Sequence, residues 1–249
     1  VMLSVANNFF YTLSLPCTLW FFNKRKPEEL LDKILFIDAR NYYTVVDRNL
    51  NEWNKWQEKN LTAIVWLYRG EVEKYKELLA EYKTSLMEQA MVIESQGFAQ
   101  ILSDTSDLPK LLEKVDEFSK KLQKTAKEEI DNAKRNEKKK IRQYYDEELA
   151  NIDEIATLIK EWHWLQSKFG VEGTYQDVLG LCKIADRTEI AAKDYSLTPG
   201  AYVGVAPVED DGIDFAERMK EIHQELLALQ KQSDELIATI SKNLEEMGL

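Results

Sequence analysis

Apolar positions fall into three regimes along the 249-residue chain. Near its start they form short unbroken runs, Phe9-Phe10-Tyr11-Thr12-Leu13, Cys17-Thr18-Leu19-Trp20-Phe21-Phe22 and Ile34-Leu35-Phe36-Ile37, with Ser14-Leu15-Pro16 between the first two. Their β-branched and aromatic content predicts two or three strands. The missing polar alternation predicts strands buried on both faces, as in a mixed sheet, which three strands cannot achieve alone. From about Asn51 to Glu94 the spacing turns helical, through Trp53, Trp56, Leu61, Ile64, Leu67, Tyr75, Leu78 and Tyr82, with Gly70 as the break. A short apolar element, Gly97 to Leu102, leads into Ser103-Asp104-Thr105-Ser106-Asp107, a polar linker holding N-cap residues ahead of Pro109.

Between Leu108 and Phe169 apolar residues recur at threes and fours, and Pro109 is the sole helix breaker. That pattern predicts one very long helix or a helical hairpin. Its apolar stripe thins around Lys134 to Arg142, so this part is expected to project from the body. Gly173 to Gly212 reads as loop-rich. The last stretch, Phe215, Met219, Ile222, Leu226, Leu229, Leu236, Ile240 and Leu244, alternates spacings of four and three, broken only at Ser233. Such a heptad seam asks for a partner helix or for an intramolecular stripe to pack on. The expected class is therefore mainly α with a small β portion (α+β). The expected division is strands in 1–50, a connecting helical region in 51–107 and a long-helix domain in 108–249.

Composition narrows the function. A net charge of −11 and a pI near 4.9 disfavour a freestanding nucleic-acid binder, so any basic surface must be local. The one concentrated basic run, Lys138, Lys139, Lys140 and Arg142 with Lys134 and Arg135 before it, either touches a nucleic-acid backbone or solvates a protruding helix. Cys17 and Cys182 cannot build a disulfide framework, and with His163 and His223 they suggest no metal site. The chain reads as cytoplasmic, and Phe9 to Phe22 is too short and too punctuated to span a membrane. Phosphate-cradling glycine loops, a nucleophile elbow and a zinc-protease helix are all absent from the sequence. Asn7-Asn8-Phe9-Phe10 approaches a methyltransferase tetrapeptide but lacks its prolines, so no catalytic, cofactor-binding or metal-ligating residue is assigned. The chain opens at Val1 inside an apolar stretch, which reads as a piece of a longer protein with strand edges prone to self-association.

Two blocks carry a family resemblance. Asn7 to Phe22, continued by Lys33-Ile34-Leu35-Phe36-Ile37-Asp38-Ala39-Arg40, resembles the modification (methyltransferase) subunit of type I restriction-modification systems, of the N-6 adenine DNA methylase family. Tyr195 to Val205, with Leu197-Thr198-Pro199-Gly200-Ala201-Tyr202-Val203-Gly204, resembles an element near that subunit's C-terminus, with Ala201 where the family is expected to carry Arg. The resemblance implies a parent enzyme that methylates adenine in DNA with S-adenosylmethionine, whose cofactor and catalytic motifs would lie upstream of Val1. This chain alone would then be inactive and bind no cofactor. The implied partners are a specificity subunit, with or without a restriction subunit, and DNA through the complex. The implied interface is the seam of Phe215, Met219, Ile222, Leu226, Leu229, Leu236 and Ile240. The rival reading is a non-enzymatic helical interaction or scaffold protein.

Overall fold

The computed structural model describes residues 1–10, 14–102, 105–134 and 136–206, together with 219–220, 222–224, 226–227, 229–230, 233–234, 236–237 and 240. It divides into two compact units, Val1–Ala206 and Pro207–Leu249.

Within the first unit, four strands form a mixed sheet in the order β2-β1-β3-β6: β1 (Met2–Val5), β2 (Cys17–Trp20), β3 (Lys33–Asp38) and β6 (Cys182–Asp186). β1 and β3 run parallel, with Leu3 opposite Ile37; β2 and β6 add antiparallel strands at the two sides. A separate hairpin, β4 (Thr44–Asp47) with β5 (Leu50–Glu52), precedes the helices.

β3 shows why the sequence pattern has two buried faces. Leu35 and Ile37 point to one side, into a core built with Trp56, Ile64, Tyr82, Ile155 and Ile159, while Phe36 points to the other, against Met2, Ala185, Ile190, Tyr202 and Val203. All three β3 side chains are essentially inaccessible. Helices α1 (Lys55–Tyr68), α2 (Val72–Ala90) and α5 (Lys138–Phe169) supply the first core, and α6 (Arg187–Ala192) with α7 (Gly200–Val203) supply the second.

Each helix begins and ends where local chemistry dictates. Asn54 and Gln57 form a reciprocal capping box at the start of α1. Asp107 caps α4 (Leu108–Asn132), with proline at the position where a missing N–H costs nothing. Gly170 closes α5 at φ 68°. α4 and α5 form the hairpin alternative, since the helical run is interrupted between Asn132 and Lys138. The small α3 (Phe98–Ile101) sends Phe98 into the main core, against Phe118 of α4.

Three expectations change. The first strand is Met2–Val5 rather than Phe9–Leu13: Phe10 lies outside the named strands, and 11–13 lie outside the described residues. The second run is not buried on both faces, because β2 pairs with β1 alone and leaves Trp20, Phe21 and Phe22 exposed. The stretch read as loop contains β6, α6 and α7, which complete one side of the sheet and cover its second face.

Candidate functional site

The two resembling blocks meet in space. At the end of β3, Asp38 is nearly buried, and Arg40 donates to both of its oxygens, Nε to Oδ1 at 2.8 Å and a terminal nitrogen to Oδ2 at 2.6 Å. This fork-on-carboxylate geometry is the strong form of the pair, and it holds the Arg40 guanidinium still more firmly protonated than usual. α7 lies directly against it. A Cβ on Gly200 would stand 2.6 Å from an Arg40 nitrogen and 3.2 Å from Asp38 Oδ2, so any larger residue there would have to push the Arg40 guanidinium off its seat on Asp38. Tyr202 stacks on Phe36 at 3.9 Å between ring centroids, and its hydroxyl donates to the Ser196 carbonyl. Ala201 is exposed, and its carbonyl accepts from Lys193 Nζ at 2.6 Å. The position where the family resemblance expects Arg is thus solvent-exposed.

A second constellation lies between the β3–β4 connection and the helices. Glu161 of α5 accepts from the Tyr42 hydroxyl and from Gln57 Nε2 at 3.1 Å. Asn60 Nδ2 donates to the Tyr42 hydroxyl oxygen at 2.9 Å and to the Glu161 carbonyl at 3.0 Å, and its own Oδ1 accepts from Tyr82 at 2.9 Å. Burial raises the Glu161 carboxyl above its ordinary range, against the lowering effect of these donors. The Tyr42 and Tyr82 hydroxyls are likewise pushed up by burial, so both remain neutral donors. The network joins the β3–β4 connection to α1, α2 and α5, and Trp164 stacks on Tyr42 at 4.0 Å on its flank.

Sequence reasoning missed this group. Asn60 gave a signal, standing four residues after Trp56 and four before Ile64, a polar side chain inside an apolar stripe. Glu148, buried on α5, was missed too: its oxygens accept from the Glu94 and Ser95 backbone N–H groups, both at 3.0 Å. That anchors the turn after α2.

The other candidates are scattered. His163 is exposed between the buried Trp162 and the half-buried Trp164, and His223 is exposed in the second unit. Cys182 is buried, and burial pushes its thiol up to about 11, which leaves it un-ionised at neutral pH. Among the described residues no group of three or more histidines, cysteines or carboxylates could hold a metal ion, and no helix is long and apolar enough to cross a membrane. Beside the β2 edge, Trp20 and Leu31 line a cavity of about 550 Å³ with charges of both signs, in which Arg187 pairs with Asp32 at 2.8 Å. At the strand ends, Arg40 pairs with Asp38 after β3, and Asp186 caps α6 directly after β6.

Lys138, Lys139, Lys140 and Arg142 open α5 at the far end of the hairpin. Of the proposed seam, Phe215 lies outside the described residues. Met219, Ile222, Leu226, Leu229, Leu236 and Ile240 occupy helical positions, all exposed, as are Leu227 and Ile237.

Comparison with known proteins fits this geometry. A family model described as N-6 DNA Methylase matches residues 1–99, the segment that supplies β1 to β5, α1 and α2. The type I restriction enzyme HindI methylase subunit of Haemophilus influenzae is 42% identical over 96 residues, which cover 39% of this chain and 21% of that protein. The type I restriction enzyme MjaIX methylase subunit of Methanocaldococcus jannaschii is 25% identical over 239 residues, 96% of this chain and 25% of that protein. The chain thus spans about a fifth to a quarter of the length of these curated relatives. No solved structure matches. The family model thus matches three of the four sheet strands and the first two long helices, and nearly the whole length of the chain is similar to a type I methylase subunit.

Proposed function

We propose that this chain is the C-terminal, assembly-mediating part of a type I DNA adenine N6-methyltransferase subunit. In this reading residues 1–50 are the last strands of the catalytic domain, 51–107 a connecting helical region and 108–249 a helical assembly domain. The parent protein binds S-adenosylmethionine and methylates adenine in DNA, and this chain alone does neither. Its partner is the specificity subunit of the same system.

The observation that carries the proposal is the apolar series in the second unit. Met219, Ile222, Leu226, Leu229, Leu236 and Ile240 hold helical positions at heptad spacing, and each keeps 42–62% of its surface in water. Burying a leucine or isoleucine contributes ~1.5–3 kcal/mol, so six such side chains represent a large unused driving force for helix-on-helix association. Electrostatics points the same way, because a chain at −11 overall cannot wrap DNA tightly and is better placed as the link to a subunit that grips and reads it.

The test is to mix the purified chain with the specificity subunit encoded beside it and to measure the mass by size-exclusion chromatography with light scattering. A complex is expected at micromolar concentration. It should disappear when Leu226 and Leu229 are both changed to Asp, while circular dichroism stays helical. A complex that survives both substitutions, or no complex with the unaltered chain, overturns the assignment of the interface to this helix. In the second case the non-enzymatic scaffold reading takes its place.

A further inference from the structure

The α4–α5 hairpin leaves the body of the protein. Leu108, Leu111 and Val115 of α4 belong to the main core, with Phe118 and Leu122 half-buried against it. Beyond Leu122 the buried side chains are Ala126 and Tyr145, which belong to neither core cluster and pack across the hairpin itself. The ten residues from Leu122 to Asn132 thus carry the tip roughly 15 Å past the core.

Charge is sorted along this arm. Residues 134–142 hold six basic side chains and one acidic one, a local excess of +5 in a chain whose total is −11. Lys134, Lys139, Lys140 and Arg142 are exposed, and Lys138 is half-buried with its Nζ 3.4 Å from the Asp131 carbonyl. Among the described residues none of these five cations makes an ion pair. The placement also works against the helix. Three lysines occupy the first turn of α5 with no acidic residue there, where the helix dipole favours anions, and Lys138 and Arg142 repel each other at i and i+4. Solubility does not explain the cluster, because a protein this acidic is already well charged.

The tip also lacks what a protein partner would bury. Protein interfaces close around an apolar or aromatic centre, whereas 134–142 offers only the half-buried Ile141 among its cations. A surface that attracts by charge alone suits a regular polyanion, whose condensed counterions are released on contact. We infer that the α4–α5 tip, through Lys134, Lys138, Lys139, Lys140 and Arg142, binds the phosphate backbone of duplex DNA without reading its sequence. The inference draws on the proposed function, and on the chain's similarity to DNA methylase subunits, for the identity of the polyanion. It does not depend on the specificity-subunit interface.

The experiment uses the full chain and a fluorescein-labelled 30-base-pair duplex of arbitrary sequence, with anisotropy recorded between ~25 and ~150 mM NaCl. Four to five phosphate contacts predict a slope of log affinity against log salt of about −4. Changing Lys138, Lys139, Lys140 and Arg142 together to Gln should flatten that slope to near −1 and weaken binding at least tenfold at ~25 mM salt, with circular dichroism unchanged. Three results overturn the inference: an unaltered slope in the variant, no salt-dependent binding by the native chain, or native binding to polyglutamate as tight as to DNA. The last places an acidic protein surface at the tip instead. Complex formation with the specificity subunit, measured on the same variant, is expected to be unchanged, which separates failure here from failure of the assembly reading.

Discussion

Glu161 shows how one residue can govern stability without being part of any catalytic set. Its carboxylate is held by Tyr42 and Gln57 but loses enough hydration that its acid strength falls, so the folded state binds its proton more tightly than the unfolded chain does. With the folded value above the ordinary carboxyl value of 4.5, the native state carries more bound protons through that window. Stability attributable to Glu161 is therefore complete below the unfolded pKa and declines as pH rises through the folded one. Urea unfolding from pH 4.5 to 8 should show native stability falling relative to Glu161→Gln as pH increases. A difference between the two proteins that stays constant with pH would show that the carboxyl titrates alike in both states. The residue was not legible in sequence, because a lone Glu preceding Trp162 looks like an ordinary solvated helix position. Its burial is set by Tyr42, more than a hundred residues away in the chain.

Elements that pack on neighbours close in sequence were readable from spacing, and elements that depend on distant neighbours were not. α1, α2 and the long helical stretch follow from apolar periodicity and from Gly70 and Asp107, while the Asn54 cap and the choice of a hairpin over a single helix came only with the structure. β6 was hidden because Cys182-Lys183-Ile184-Ala185-Asp186 is short, has two charged members, and finds its partner in β3 about 150 residues earlier. α7 was legible only as a resemblance, and its packing explains the motif. Gly200 is needed because the Asp38–Arg40 pair occupies the space of a Cβ, while Tyr202 buries its ring on Phe36. Gly200→Ala should cost about 1–3 kcal/mol by forcing Arg40 or α7 aside. The same substitution made together with Arg40→Ala should cost less than the sum of the two single changes, because the clash is gone. Additive effects in chemical denaturation would mean that the backbone near Gly200, rather than Arg40, sets the requirement.

At the level of the whole molecule, the described sheet and both core clusters are built from residues of the first unit. The two core clusters draw on residues from Val1 to Val203, with α1, α2 and α5 on one face of β3 and α6 and α7 on the other. The described apolar positions of the second unit are exposed. Folding and partner binding should therefore be separable by a cut after Ala206, where the two units divide. A chain ending there is expected to unfold cooperatively with a melting temperature within ~2 °C of the longer one, since a change below ~1 kcal/mol shifts a domain of this size by only a few degrees. It should at the same time lose the complex with the specificity subunit. A large drop in melting temperature would show that residues 207–249 cover part of the first unit's core in the free protein. In that event the apolar seam would serve the fold before it serves a partner, and the Leu226 and Leu229 substitutions would have to be read as stability changes as well as interface changes.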